Sequence, residues 1–157
     1  PGYGWTEGRV KILSAGTPWR PLVHILDISA SFVALLEADR DAVHGQAFNI
    51  GRDENNHQVR DMASAVAAFL PDTEVVYAGQ GDPDSRDYNV SFAKLAGLSG
   101  QPLVRWSLEA GVAELVGALH ARGLSVDEFR GAPALRLKQL TDLMSDGRLD
   151  DDLRWRR

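Results

Sequence analysis

Apolar and polar residues alternate with several distinct periods along this chain, and each period predicts a type of element. Arg9–Leu13 alternates weakly and reads as a short strand. Ala15-Gly16-Thr17-Pro18 forms a turn, and Pro21–Ile25 is a second short extended run. Asp27 is placed as the N-cap of a helix whose Ile28, Phe32, Leu35 and Leu36 share one face, fraying near Ala38–Asp41. Gln46–Ile50 is a compact apolar strand ending at Gly51, and Arg52–Asn56 is a polar loop. From His57 to Leu70 the helical period is clearest, with Val59, Met62, Ala63, Val66, Phe69 and Leu70 on one face. Asn55 or Asn56 is its expected cap, and Pro71 lies just beyond its end.

Glu74–Tyr77 reads as a strand and Gly79–Arg86 as a long polar loop. Tyr88–Phe92 is extended, and Ala93–Leu98 has room for one or two helical turns. Ser107 caps a helix carrying Leu108, Val112, Leu115, Val116 and Leu119, which Gly123 stops. Ser125 and Glu128 form a capping box, Leu135–Met144 is a last amphipathic helix closed by Gly147, and a charged tail surrounds Trp155. The order of elements predicts an α/β or α+β class with more helix than strand. Pro1–Gly4 reads as irregular chain, and the start at Pro1 rather than Met reads as an end that was cut or processed.

Composition narrows the function classes. Of 157 residues, 44% are hydrophobic and 25% charged, which is ordinary for a folded soluble chain. The absence of cysteine excludes a disulfide framework, a thiolate metal site and a cysteine nucleophile, and fits a reducing, cytoplasmic setting. A net charge of -5 argues against nucleic-acid or membrane-surface partners while leaving room for a local cationic pocket. No apolar run approaches the roughly 20 residues of a membrane span, and no secretory leader is read at the start.

Most motifs of catalysis are missing. His24, His44, His57 and His120 have no metal-ligand spacing, so no metal site is expected; His24 reads as a hydrogen-bonded core residue of an apolar strand. Gly79-Gln80-Gly81 is an incomplete phosphate cradle, and Asp82, Asp84 and Asp87 lack the pattern of a calcium loop and read as solvated charge. Two arginines stand out. Arg20 lies at the mouth of a strand, and Arg86 lies in a long loop before an extended stretch. A guanidinium offers a planar, permanently charged fork that fits phosphate oxygens, and loops at strand ends carry ligand contacts in α/β folds. Two surface arginines in ordinary salt bridges would leave the same trace in the residues.

A resemblance decides between these readings. Gly16-Thr17-Pro18-Trp19-Arg20-Pro21-Leu22-Val23-His24-Ile25-Leu26-Asp27-Ile28 resembles a segment of the extended short-chain dehydrogenases/reductases, the NAD-dependent nucleotide-sugar epimerases and dehydratases. Four further stretches resemble the same family in the same order. They are Ala47-Phe48-Asn49-Ile50-Gly51, the helix from Asn55 to Ala63, Asp84–Leu95 with its DxRxY pattern, and Ser107–Leu119. Asn89 and Ser91 depart from the family's common Arg and Asp.

The resemblance implies a partial extended fold of the α/β class. Residues 1–8 are an irregular start, and 9–157 are the carboxy-terminal, substrate-binding region, without the amino-terminal Rossmann half. In the family a tyrosine removes a proton while NAD takes hydride from the sugar. Neither GxxGxxG nor YxxxK occurs here: four positions after Tyr3, Tyr77 and Tyr88 stand Glu7, Gly81 and Phe92. No catalytic or cofactor-binding residue is therefore assigned. NAD or NADP is expected in the complete enzyme and not on this chain alone, which should be inactive by itself. The resemblance places Arg20 and Arg86 on the diphosphate of a nucleotide sugar and predicts that they converge. It places Gln46–Ile50 in the sheet of the Rossmann half, which is the implied partner, and a homodimer is a further possible partner. The rival reading is a catalytically inert binding or interaction module that keeps this portion of the fold.

Overall fold

The computed structural model describes residues 1–78, 86–98 and 102–156. The chain begins with helix α1 (Gly2–Glu7), then strands β1 (Arg9–Ile12) and β2 (Trp19–Pro21), and helices α2 (Ile25–Glu37) and α3 (Arg40–Val43). A 3-10 turn (Asp53–Asn55) leads into β3 (Asn56–Gln58), α4 (Val59–Phe69) and β4 (Glu74–Tyr77). The remaining helices are α5 (Ala93–Ala96), α6 (Leu108–Arg122), α7 (Val126–Arg130) and α8 (Arg136–Ser145). The expected α/β class with more helix than strand is what the chain adopts.

Two small sheets organise the described residues. β1 and β4 pair in parallel, Arg9 opposite Glu74 through Ile12 opposite Tyr77. β2 and β3 pair antiparallel, Trp19 opposite Gln58 and Pro21 opposite Asn56. The parallel pair needs a crossover, and α4 is the helix that returns the chain to β4. Ile12, Ala63, Val66 and Val112 are buried with Phe92, Leu95, Val104 and Leu149. Ala63, Val66 and Val112 lie on the faces that periodicity predicts.

Several expectations need correction. The start is helical, not irregular. Trp5 Nε1 donates to Leu124 O at 2.9 Å, Tyr3 meets Phe129 edge-on at 4.9 Å, and Arg130 pairs with Glu7 at 2.7 Å. These contacts fasten α1 to α7 and to the turn before it, and none of those partners is near in sequence. The Glu7 carboxylate also raises the Arg130 pKa, through a hydrogen bond first and charge second. The cap of α4 is Gln58, in a capping box with Asp61, rather than Asn55 or Asn56. Gln46–Ile50, expected as a strand, lies in neither sheet. Lys94 holds it, donating to Gln46 Oε1 and Ala47 O at 2.9 Å and lying 4.7 Å from the Phe48 ring centroid.

The predicted apolar face of α2 is also not a core face. Phe32 is 59% and Leu36 83% exposed, whereas the buried side of the helix carries Asp27 and Ser31. Periodicity records which residues share a face, but not whether anything covers it.

Gly51 shows how closely the core is filled. A Cβ built there would meet two atoms of the buried Phe92 ring at 2.4 and 2.5 Å. Overpacking of this kind costs about 1–3 kcal/mol. Gly51→Ala should therefore lower the denaturant midpoint measurably, and an unchanged midpoint would show that the ring moves aside freely.

Candidate functional site

The side chain of one arginine singled out by sequence reaches the backbone of the other. Arg20 is the middle residue of β2, opposite His57 of β3. Its Nη1 donates to Trp19 O at 2.8 Å and also to the carbonyl oxygen of Arg86. The guanidinium lies 5.6 Å from the Tyr88 ring centroid, within the range of a cation–π contact. One residue away, the Trp19 N–H donates to Asp87 Oδ1 at 2.8 Å. The 86–88 segment is therefore laid along β2. Arg86, Asp87 and Tyr88 are exposed, and Arg20 is half-buried.

Buried amides hold this arrangement from beneath, and sequence reasoning missed them. Asn56, 8% exposed, donates through Nδ2 to Val90 O at 2.9 Å and Asp53 O at 3.0 Å, and accepts from Val90 N through Oδ1 at 2.9 Å. Its side chain thus pairs with the Val90 backbone as a neighbouring strand would. Asp53 Oδ1 takes the Phe92 N–H at 2.9 Å, which fixes the same segment two residues further on. The signal available in sequence was the pair Asn55-Asn56 after Asp53, which is equally the signal of a cap or turn.

Asp27 corrects another expectation. The N-cap of α2 is His24, whose Nδ1 accepts from Leu26 N at 3.2 Å. Asp27 sits in the first turn, 3% exposed, with Oδ1 on Arg105 N and Oδ2 on Trp106 N, both at 3.0 Å. Asn55 Nδ2 takes the Trp106 carbonyl at 2.8 Å, so both polar groups of that residue's backbone are held by buried side chains. His24 is hydrogen-bonded, as expected, but as a helix cap rather than within a strand. With Nδ1 accepting, Nε2 carries the proton and donates to Glu114 Oε2 at 2.7 Å. The ring stacks on Trp106, with centroids 4.0 Å apart and planes at 13°.

A cavity of about 390 Å³ opens among Gly51, Arg52, Phe92, Leu95 and Val104. A second of about 290 Å³, mostly apolar, lies among Leu22, His24, Trp106, Val112 and Leu115. Arg20 and Arg86 line neither of these two cavities. Gly79-Gln80-Gly81, Asp82 and Asp84 lie outside the described residues. Among the described residues no group of three or more His, Cys, Asp or Glu could hold a metal ion, and no helix is long and apolar enough to cross a membrane.

The dinucleotide does not fit the described residues. Its phosphates need a glycine-rich turn from a strand into a helix with free N–H groups. β3 does run directly into α4, but the first N–H groups there, of Val59 and Arg60, already donate to Pro18 O at 3.1 Å and Gly16 O at 2.9 Å. Gly16, at φ 74°, makes that approach possible: a Cβ would meet Arg60 Cβ at 2.9 Å. The N-termini of α2 and α6 are capped by His24 and Ser107.

Residues 5–51 match the model of the NAD dependent epimerase/dehydratase family, a stretch that includes Arg20. Among solved structures, L-threonine dehydrogenase from Clostridium difficile is similar at a TM-score of 0.65 and 19% identity, over 78% of this chain and 39% of that one. An NAD dependent NDP-hexosamine 5,6-dehydratase involved in tunicamycin biosynthesis follows at 0.64 and 17%, over 77% and 38%. RMD from Pseudomonas aeruginosa, solved with NADPH, gives 0.60 and 15%, over 77% and 39%. The chain spans about two fifths of the length of these structures. It carries the sequence pattern of the NAD-dependent epimerase/dehydratase family in residues 5–51 and, over about three quarters of its length, folds as part of the short-chain dehydrogenase/reductase fold.

Proposed function

We propose that this chain is the substrate-holding part of an NAD(P)-dependent epimerase/dehydratase-like oxidoreductase, with Arg20 and Arg86 on the diphosphate of a nucleotide sugar. The observation that carries the reading is the contact between Arg20 and the 86–88 segment, which brings together two segments whose arginines are 66 positions apart. Two forks on adjacent segments suit two linked phosphates, each offering several oxygens. Holding the diphosphate there would aim the sugar at a dinucleotide bound elsewhere, and positioning of that kind lowers a barrier by several kcal/mol. A dinucleotide-binding half, in the same polypeptide or a companion chain, is the proposed partner. The exposed apolar face of α2 and the unpaired run from Gln46 to Ile50 suit packing against it.

Calorimetric titration of the full chain with inorganic pyrophosphate, a nucleoside diphosphate and the bare nucleoside tests this. Arg20→Ala or Arg86→Ala should weaken binding of the two phosphate compounds by about tenfold or more, since a charge-assisted bond contributes roughly 1.5–3 kcal/mol. Nucleoside binding should hardly change. Equal losses for all three compounds, or none for either variant, would overturn the assignment and favour an inert interaction module.

A further inference from the structure

We propose that Asp87 is a positioning residue for the arginine pair, acting by anchoring the 86–88 segment to the edge of β2. The inference rests on the diphosphate reading above and adds a residue to it. Asn56 fixes the segment at Val90, and the chain from Val90 back to Arg86 runs over the surface. Among the contacts that tie that surface stretch to β2 are three of different kinds: Arg20 with the Arg86 carbonyl, Arg20 with the Tyr88 ring, and Asp87 with the Trp19 N–H. The first two are made by the guanidinium that would also serve the diphosphate. A phosphate drawing that fork toward itself competes with both.

The third contact has a different character. It runs from a carboxylate to a backbone N–H of a paired strand, and a bound phosphate has no reason to dislodge it. Asp87 therefore keeps Arg86 beside Arg20 while Arg20 is engaged. It does so at an electrostatic cost, because a carboxylate this close to the arginines opposes an incoming anion. Accepting a hydrogen bond requires an oxygen and not a charge. The two properties of the side chain are thus separable by substitution.

Asp87→Ala removes the acceptor, and Asp87→Asn keeps an oxygen while removing the charge. In the full chain, Asp87→Ala should weaken pyrophosphate binding by about five- to tenfold, the worth of one hydrogen bond to an ionised group less the repulsion that leaves with the carboxylate. It should also speed amide hydrogen exchange at Trp19. Asp87→Asn should restore slow exchange and bind pyrophosphate as tightly as the parent or more tightly. In an Arg86→Ala background, Asp87→Ala should weaken binding no further, because its effect passes through Arg86. An Asn variant as weak as the Ala variant, or additive losses in the double variant, would overturn the positioning role. If Arg86→Ala weakens pyrophosphate binding and Asp87→Ala does not, the inference fails while the diphosphate reading stands. If neither variant changes binding, both fail.

Discussion

Replacing Asp27 with alanine should destabilise the protein by about 3 kcal/mol, from two lost bonds to a charged acceptor discounted for relaxation. For a chain of this length that lowers the thermal midpoint by about 6–12 °C. The carboxylate is buried and accepts from two consecutive backbone N–H groups, of Arg105 and Trp106. Without it both donors are left in a site with little water, which costs more than an exposed bond gains. The effect should spread, because Asp27 ties the first turn of α2 to the segment that leads into α6. Trp106 in that segment is the stacking partner of His24. Asp27→Asn should fall between, since its amide presents an oxygen to one donor and an NH2 to the other. Circular dichroism melts of the three proteins check this. An alanine variant melting within about 2 °C of the parent would show that the loop reorders around other acceptors.

Asn56→Ala should cost about 2–3 kcal/mol, at roughly 1 kcal/mol for each of three hydrogen bonds. It should also act on the candidate site from beneath. The side chain takes both polar groups of Val90 and the Asp53 carbonyl. Its loss detaches the base of the 86–90 segment, so amide exchange at Val90 should accelerate before global unfolding does. Asn56→Asp is the informative control. A carboxylate still accepts from the Val90 N–H but faces two carbonyl oxygens with nothing to donate. It should therefore be at least as destabilising as alanine, although it is nearly the same shape. An Asp variant as stable as the parent would mean that the two donated bonds contribute nothing.

Both predictions concern residues whose importance was not legible along the chain. Asp27 was visible as an acid at a helix start, and so was read as a cap. Its two partners lie 78 and 79 positions away. Asn56 was visible as a small amide before a helix, and its main partner lies 34 positions away. A short polar side chain next to a helix satisfies a local N–H or a remote one equally well, and nothing nearby in sequence states which. Arg20 and Arg86 stand out by type and by resemblance, and the tertiary structure adds the hydrogen bond from the Arg20 side chain to the Arg86 carbonyl. Asp87, read as solvated loop charge, turns out to accept a hydrogen bond from the strand beside it.

Sequence alone determined the features whose energetics are local. The face of α4 with Ala63 and Val66 follows from residues three apart, and the Ser125–Glu128 capping box and the left-handed Gly123 after α6 follow from neighbours within one helical turn. Strand Glu74–Tyr77 was delimited by its own β-branched and aromatic run. Tertiary structure decided everything that depends on what lies opposite. Pro1–Gly4 lacks helical pattern, yet Gly2–Glu7 is a helix because Trp5, Tyr3 and Glu7 find partners near α6 and α7. Gln46–Ile50 has the composition of a buried strand and pairs with no strand among the described residues, because a ladder requires a second strand and composition cannot supply one. The apolar face of α2 is correct in periodicity and exposed in fact, since burial is a property of two surfaces and the chain specifies only one of them.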